Sequence, residues 1–253
     1  MKLYHRILGE GRPIVVLHGL FGYSDNWQTH AKKLSEYYQV ILVDQRNHGH
    51  SPWSEEFTYD FLVDDLKVLV DDLKLEKIIL LGHSMGGKTA MRYAQRYPND
   101  LEKLIVVDIG VKRYPAHHDQ ILDGLRAVET KNLSSRSLAE EQMEPFIPSY
   151  GIRQFLLKNL YWKEKGKLEW RMNIPVLERE MGNVLVGLPD EEVFTPTLFI
   201  RGLSSDYILD EDITLLENRF PDMQLVSIEN AGHWVHAEAP EEFIEAVLSF
   251  GLR

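Results

Sequence analysis

The sequence predicts an α/β fold, a doubly wound and mostly parallel sheet with helices on both faces. Three features predict it. Short apolar runs rich in Val, Ile and Leu recur along the chain, helical patterns alternate with them, and one long helical stretch interrupts the alternation. Near-continuous apolarity over four or five residues is typical of strands covered on both faces. Alternation of such strands with helices is the pattern of a parallel sheet between two helical layers.

Each predicted strand is bounded by Gly, Pro, Asn or Asp. The strands are Ile14–His18, Val40–Asp44, Lys77–Leu81, Leu104–Asp108, Thr197–Ile200 and Leu225–Ile228. The predicted helices between and after them are Asp25–Tyr38, Thr58–Leu73, Met85–Tyr97, Asp210–Phe220 and Pro240–Phe250. Thr58 stands before an apolar-periodic run, with Asp60 in the first turn, so a capped amphipathic helix is expected there.

The alternation of strands and helices breaks between Val111 and Glu192. The patterns in this stretch are helical, with no convincing strand, at His118–Val128, Ser137–Phe146, Ile152–Leu160 and Ile174–Val186. A helical insertion that returns to a core strand is typical of a cap over a site. We therefore expect a core formed by residues 1–110 and 195–253, and a helical cap at 111–194, inserted after the sixth strand.

Size and charge limit the function classes. The chain has 253 residues, of which 44% are hydrophobic, so it can bury the core of one large domain. Its 28 Lys and Arg against 39 Asp and Glu give a net charge of −11, which disfavours nucleic acid and anionic membranes as partners. It has no cysteine, and no apolar run reaches the roughly 18 residues of a membrane helix. A soluble cytoplasmic protein without nucleic-acid or membrane partners is expected; the oligomeric state is open.

The segment Gly82–Thr89 fits two unrelated chemistries. As G-x-S-x-G around Ser84 it is the nucleophile elbow of a serine hydrolase, in which small residues allow a sharp strand-to-helix turn. As G-x-x-x-x-G-K-T ending in Lys88 and Thr89 it also matches a phosphate-binding loop. The strand that ends in Asp108 even resembles the second motif of nucleotide hydrolases.

The remaining turns favour the hydrolase interpretation. A serine hydroxyl needs a base to take its proton and a carboxylate to orient that base. Ser84, an aspartate and His233 occur in that order, and each follows a predicted strand, where ligands bind in parallel sheets. A phosphate-binding loop leaves the His18-Gly19 turn, the Gly232-His233 turn and the helical insertion unexplained. A nucleotide hydrolase and a non-catalytic ligand-binding protein stay as alternatives.

Three segments carry a family resemblance. Asp44–Ser51, Gly82–Met91 and Asn230–Ala237 resemble the α/β-hydrolase superfamily, over roughly Arg12–Gly110 and Thr195–Phe250. Within it they are similar to the small serine esterases that include bacterial acyl-ester and thioester hydrolases and mitochondrial α/β-hydrolase domain-containing proteins. The resemblance implies a cofactor-free, metal-free serine esterase that acts on small acyl esters, with acyl thioesters as a further substrate class. Ser84 is then the nucleophile and His233 the general base.

Two aspartates compete for the role of the acid. Most superfamily members place it three residues after a glycine that follows the strand beyond the cap; counted from Gly202, that position is Ser205. Asp206 is one residue out of step. Asp108 ends the strand after the nucleophile helix, and this βαβ return brings it to the same sheet edge as Ser84. The resembling group also places the acid there, so Asp108 is favoured and Asp206 is second.

The oxyanion of an acyl intermediate needs hydrogen-bond donors, which in this fold are backbone amides. The elbow geometry predicts the amide of Met85 as one donor. The resemblance implies Leu20, after the His18-Gly19 turn, as the other, with Phe21 as the nearby alternative.

Overall fold

A seven-stranded sheet forms the centre of the computed structural model, which describes residues 1–116, 118–128, 133 and 135–252. Its strands are β1 (His5–Leu8), β2 (Pro13–Leu17), β3 (Gln39–Val43), β4 (Ile78–His83), β5 (Leu101–Val107), β8 (Thr197–Gly202) and β9 (Met223–Ile228). Their spatial order is β1-β3-β2-β4-β5-β8-β9. All neighbouring pairs are parallel except β1 with β3. The predicted doubly wound, mostly parallel sheet is confirmed.

The helices of the core cover both faces of this sheet. They are α1 (Gln28–Leu34), α2 (Tyr59–Asp72), α3 (Met85–Arg96), α9 (Ile213–Arg219), α10 (Val235–Glu238) and α11 (Pro240–Gly251). Along β4, Ile78 and Leu80 pack with α2 and α3, whereas Ile79 and Leu81 pack with α1 and α11. Successive strand side chains point to opposite faces, so a strand covered on both sides must be apolar throughout.

The predicted core elements are confirmed to within a few residues, and Thr58 caps α2 by accepting a hydrogen bond from the Phe61 amide at 3.4 Å. The sequence pattern did not reveal β1. This strand lies at the sheet edge, pairs only with β3 and is half-exposed along most of its length. It therefore carries no continuous apolar run.

The insertion, between β5 and β8, contains five described helices and a hairpin. The helices are α4 (Asp119–Ala127), α5 (Arg136–Met143), α6 (Tyr150–Leu157), α7 (Ile174–Arg179) and α8 (Met181–Leu185), and the hairpin strands are β6 (Leu160–Glu164) and β7 (Lys167–Trp170). The expectation that this stretch holds no strand is wrong. Gly166, with φ of 82°, makes the turn, and Leu160 pairs with Trp170.

The position of the insertion also corrects the prediction, since it follows the fifth strand rather than the sixth. Residues 1–110 are all described, and the strands that they contain are β1 to β5. The edge strand β1 pairs with β3 alone, and no strand lies outside it in the described part of the chain. Within that part, no helix is long and apolar enough to cross a membrane.

Lys88 fastens the insertion to the core. Its side chain rises from α3, is 1% exposed, and donates hydrogen bonds from Nζ to the carbonyl oxygens of Lys112, at 2.9 Å, and of Val186. These carbonyls belong to the two connections through which the chain leaves and re-enters the core. The Leu188 amide also donates to the Val111 carbonyl at 2.9 Å, which joins the connections directly.

Lys88→Met keeps the aliphatic stem but removes the donor, so we expect it to loosen the insertion. Two carbonyls lose a hydrogen-bond donor, at a cost of about 0.5–1.5 kcal/mol in the free energy of unfolding for each hydrogen bond. Denaturant unfolding and limited proteolysis measure the effect, and cleavage is expected within the insertion. Lys103→Met is a matched control, because Lys103 donates to the carbonyls of Phe250 and Gly251 at 2.9 and 3.2 Å, away from the insertion. Equal protease resistance of wild type and Lys88→Met would contradict this role.

Candidate active site

Ser84 lies in a sharp turn between β4 and α3. Its backbone has φ of 54° and ψ of −120°, a left-handed conformation that non-glycine residues rarely adopt. The turn requires close packing of the backbone: a Cβ on Gly82 would overlap the Gly86 carbonyl, and one on Gly86 would lie 2.5 Å from the carbonyl oxygen of Leu17. The turn projects the serine at the carboxyl edge of the sheet.

Ser84, His233 and Asp108 form a hydrogen-bonded line. The Nε2 atom of His233 lies 3.0 Å from Ser84 Oγ, and its Nδ1 atom lies 2.8 Å from Asp108 Oδ2. A carboxylate oxygen accepts, so the proton of the neutral ring is on Nδ1 and Nε2 is free to accept from the serine hydroxyl. The three residues come from the ends of three different strands or the loops that follow them.

The Asp108 carboxylate is fully buried and is held by donors from β8, the neighbouring strand in the sheet, and from the loop after it. Oδ1 accepts from the Gly202 amide at 3.1 Å, and Oδ2 accepts from the Ser205 hydroxyl. Burial raises the pKa of Asp108 to about 6, while the hydrogen bonds from Ser205 and Gly202 act in the opposite direction. Asp108 also has a left-handed backbone, with φ of 49°.

The structure places the two candidate acids differently. Asp108 reaches His233, whereas Asp206 is exposed and makes no hydrogen bond or ion pair with the described residues. Ser205 stands where most superfamily members carry the acid, and its hydroxyl donates to Asp108 instead. The sequence shows that this position lacks an acid, but the hydrogen bond from its side chain to Asp108 could not be predicted.

Two further side chains hold His233. The Tyr207 ring stacks on the imidazole, with centroids 3.8 Å apart and planes 16° apart. The Nε2 atom of His83 donates to the His233 carbonyl at 2.8 Å, and burial lowers the pKa of His83 to about 3, so that ring stays neutral. The contact of Tyr207 with His233 could not be predicted from the sequence, because a loop tyrosine has many possible packing partners.

The amides of Leu20 and Met85 have no protein acceptor in the described part of the chain. Met85 is the first residue of α3, and the first amides of a helix have no intrahelical partner. The Phe21 amide instead donates to His48 Nε2 at 3.2 Å. Gly19 brings the loop against Ser84, since a Cβ on Gly19 would lie 3.2 Å from the serine Cβ. Leu20 rather than Phe21 is therefore the available donor in this loop.

Lys88 and Thr89 cannot serve a phosphate-binding loop. The Lys88 ammonium is buried among carbonyls below the insertion, and the Thr89 hydroxyl donates to the Met85 carbonyl at 3.1 Å. Both side chains are buried and their polar groups already donate to backbone carbonyls, so neither is available to a phosphate or a magnesium ion. The nucleotide-hydrolase alternative is thereby excluded.

A cavity of about 460 Å³ extends over Ser84 and His233. Core residues such as Leu20, Trp27 and Tyr207 line one side of it. The insertion supplies a mostly apolar wall, formed by Ile121, Ile147, Pro148, Ile152, Phe155 and Leu156. Such a cavity suits a hydrocarbon chain attached to a polar group near the serine.

Comparison with known proteins identifies a family. The family model of the alpha/beta hydrolase fold matches residues 12–240. The chain is 38% identical over 246 residues to sn-1-specific diacylglycerol lipase ABHD11 of Mus musculus, covering 94% of this chain and 80% of the relative. It is 35% identical over 236 residues to esterase YbfF of Escherichia coli, covering 93% and 91%. A solved marine microorganism esterase superposes with a TM-score of 0.96 and 40% identity, covering 98% of this chain and 99% of that one.

We expect Asp108→Asn to change stability in a pH-dependent way. The pKa of Asp108 is raised from 3.8 to about 6 by folding, so the folded state holds its proton more tightly and stability falls as pH rises across this interval. A shift of about two units corresponds to about 3 kcal/mol. The variant should therefore gain free energy of unfolding relative to wild type at pH 7.5, and much less at pH 4.

Denaturant unfolding at the two pH values measures this difference. Asp206→Asn is the control, because the Asp206 side chain is exposed and makes no hydrogen bond or ion pair with the described residues, so its replacement should change the free energy of unfolding little. A variant-to-wild-type difference for Asp108→Asn that is the same at pH 4 and pH 7.5 would argue against a carboxylate destabilised by burial.

Proposed function

The chain belongs to the α/β-hydrolase family, and from this premise we propose that Ser84, His233 and Asp108 act as the catalytic triad of its esterase activity. The chain is a serine esterase, a carboxylic ester hydrolase, as its similarity to esterases and lipases over most of its length indicates. The observation that carries the triad assignment is the alignment of Ser84 Oγ, His233 and Asp108 through hydrogen bonds of 3.0 and 2.8 Å.

Acylation begins when Ser84 Oγ attacks the carbonyl carbon of the ester. As the C–O bond forms, the hydroxyl proton passes to His233 Nε2, and the carbonyl π electrons move to the oxygen. Asp108 keeps the Nδ1 proton in place and stabilises the imidazolium that forms. Because Tyr207 and His83 hold the ring and the backbone of His233, the base is oriented before substrate binds.

The oxyanion is stabilised by the amides of Met85 and Leu20. The availability of both amides and the position of Met85 at the positive end of α3 support this assignment. His233 then gives its proton to the leaving alcohol oxygen as that C–O bond breaks, which leaves an acyl group on Ser84. Water, deprotonated by the same imidazole, hydrolyses the acyl-enzyme and regenerates the serine.

The insertion is proposed to act as a cap over the site, with the boundaries 111–194 that the sequence predicts. Its apolar side chains form one wall of the cavity over Ser84, so it shapes the space available to an acyl chain. Hydrolysis of acyl thioesters, a second substrate class, stays a prediction. The attack on the acyl carbonyl would be the same for an ester and a thioester. Location in the cytoplasm also stays a prediction.

Ser84→Ala is expected to abolish labelling by a fluorophosphonate probe and to lower ester turnover by several orders of magnitude. The variant removes the attacking oxygen but leaves the oxyanion amides and the cavity in place. Turnover is measured on acyl esters and acyl-CoA thioesters of graded length, and intact-protein mass spectrometry reports labelling. A wild-type chain that binds these compounds but neither reacts with the probe nor hydrolyses them would revive the non-catalytic alternative. Labelling that survives Ser84→Ala would falsify the nucleophile assignment.

Asp108→Asn and Asp206→Asn separate the two candidate acids. The first removes the acceptor of the His233 Nδ1 proton, so a fall in kcat of about 10³–10⁴ is expected, the scale seen when a triad aspartate becomes asparagine. The second alters an exposed side chain and should change kcat less than twofold. Ester turnover with both variants is the measurement. A large loss with Asp206→Asn and a small one with Asp108→Asn would transfer the role.

A further inference from the structure

A second cavity of about 290 Å³ adjoins the one over Ser84. The two share a wall formed by Asn26, Ile152, Phe155, Trp234 and His236. Beyond this wall the second cavity is lined by residues that do not line the first, namely Gly151, Gln154, Lys158, Ala237 and Glu238. These five shared residues, which we call the neck, line the boundary between the two cavities.

The chemistry of the triad decides which part of an ester points toward this neck. His233 Nε2 must protonate the leaving oxygen, so the alcohol part of the ester has to lie beside His233. Trp234 is the next residue in the chain, His236 lies three positions after His233, and both line the two cavities. An alcohol group on this side of the triad would lie toward the neck, whereas Ile121 and Ile147 line the first cavity and not the second, and suit the acyl chain.

His236 brings an unsatisfied polar side chain to the neck. It is 5% exposed and stacks on Trp27, with ring centroids 4.3 Å apart and planes 12° apart. Its ring makes no hydrogen bond with the part of the chain that the structure describes, and its Nδ1 atom is buried. A buried polar atom without a partner is costly, and the Nε2 atom, which also lacks a hydrogen bond within the described residues but is not fully buried, is the ring nitrogen that a polar ligand group can reach.

The chemistry of these side chains defines the group they would bind. Burial and the neighbouring His83, His30 and His233 lower the pKa of His236 well below its usual range, so the ring is neutral and has one donor and one acceptor nitrogen. Asn26 uses Oδ1 to accept from the Tyr23 amide at 2.8 Å, and its Nδ2 group has no acceptor among the described residues. A hydroxyl group, which donates and accepts, matches this pair.

We propose that the second cavity is a subsite for the alcohol part of the substrate, and that Asn26 and His236 at the neck recognise a hydroxyl group on that alcohol. The preferred substrates are then esters of hydroxylated alcohols. The hydroxyl oxygen accepts from the Asn26 amide group, and its proton is donated to an imidazole nitrogen of His236. This inference rests on the proposed triad, since His233 sets the direction of the leaving group.

Two butyrate esters of equal size test the recognition. 2-Hydroxyethyl butyrate and propyl butyrate differ only by a hydroxyl in place of a methyl group. Wild type is expected to hydrolyse the hydroxyethyl ester with a kcat/KM about fivefold to tenfold higher, the scale of one or two net hydrogen bonds. A wild-type ratio near one would overturn the proposal.

Two variants locate the preference at the neck. His236→Phe keeps a ring to stack on Trp27, and Asn26→Asp keeps the acceptor for the Tyr23 amide while it removes the donor. Each is expected to reduce the ratio of kcat/KM for the two esters toward one. The matched control His5→Phe replaces a histidine on β1, away from both cavities, and should keep the wild-type ratio. Ratios in His236→Phe and Asn26→Asp equal to that of wild type would also overturn the proposal.

A third variant tests the direction of the alcohol. Ala237 lines the second cavity but not the first, so Ala237→Phe should narrow only the proposed subsite. We expect a loss of about tenfold in kcat/KM for hexyl butyrate relative to ethyl butyrate, with the preference between ethyl butyrate and ethyl octanoate kept. A change confined to the acyl preference would show that the second cavity takes the acyl chain.

The failure of this subsite and the failure of the triad give different results. Hydrolysis of propyl butyrate that depends on Ser84, without any preference for the hydroxyethyl ester, refutes the subsite alone. Absence of hydrolysis of both esters that depends on Ser84 refutes the triad, and the subsite with it.

Discussion

The site depends on the close contact of α3 with the carboxyl ends of β2 and β4. Gly82 and Gly86 allow this contact, because a side chain at either position would overlap backbone carbonyls. The contact holds Ser84 in a left-handed conformation and directs the first amide of α3 toward the same edge of the sheet. A strained backbone of this kind persists only where the surrounding packing enforces it. The two glycines thus set the positions of Ser84 Oγ, the proposed nucleophile, and of the Met85 amide, a proposed oxyanion donor.

Burial of the Asp108 carboxylate affects both the stability of the fold and the chemistry expected at the site. Burial makes its charge costly, and donors from β8 and the loop after it offset part of that cost. The same arrangement leaves Oδ2 facing His233 at 2.8 Å. A charge that is poorly solvated in the folded state interacts strongly with a developing imidazolium, because the local dielectric is low. The feature that weakens the fold near neutral pH is therefore the one expected to strengthen the base.

The elements that could be predicted from the sequence are those whose apolar pattern follows from burial on both faces of the sheet. The central strands are continuous apolar runs for that reason, and the βαβ return, together with the family resemblance, favoured Asp108 over Asp206. The edge strand β1 and the hairpin around Gly166 were missed because a strand with one partner needs no such run. The support of Asp108 by Ser205, and of His233 by Tyr207, could not be derived either. Both depend on how a loop after β8 folds back, which neither periodicity nor motif spacing encodes.

The attachment of the insertion has a consequence for how this fold diversifies. Lys88 binds the carbonyl groups of Lys112 and Val186, and every residue type presents such a carbonyl. These hydrogen bonds therefore depend on the path of the main chain and not on the identity of the residues along it. Segments of different sequence and length can be carried at this place while the core stays constant, provided that their two ends pass over α3. Selectivity for new substrates can thus be acquired by replacing the insertion, which forms one wall of the cavity, while the site residues of the core stay unchanged.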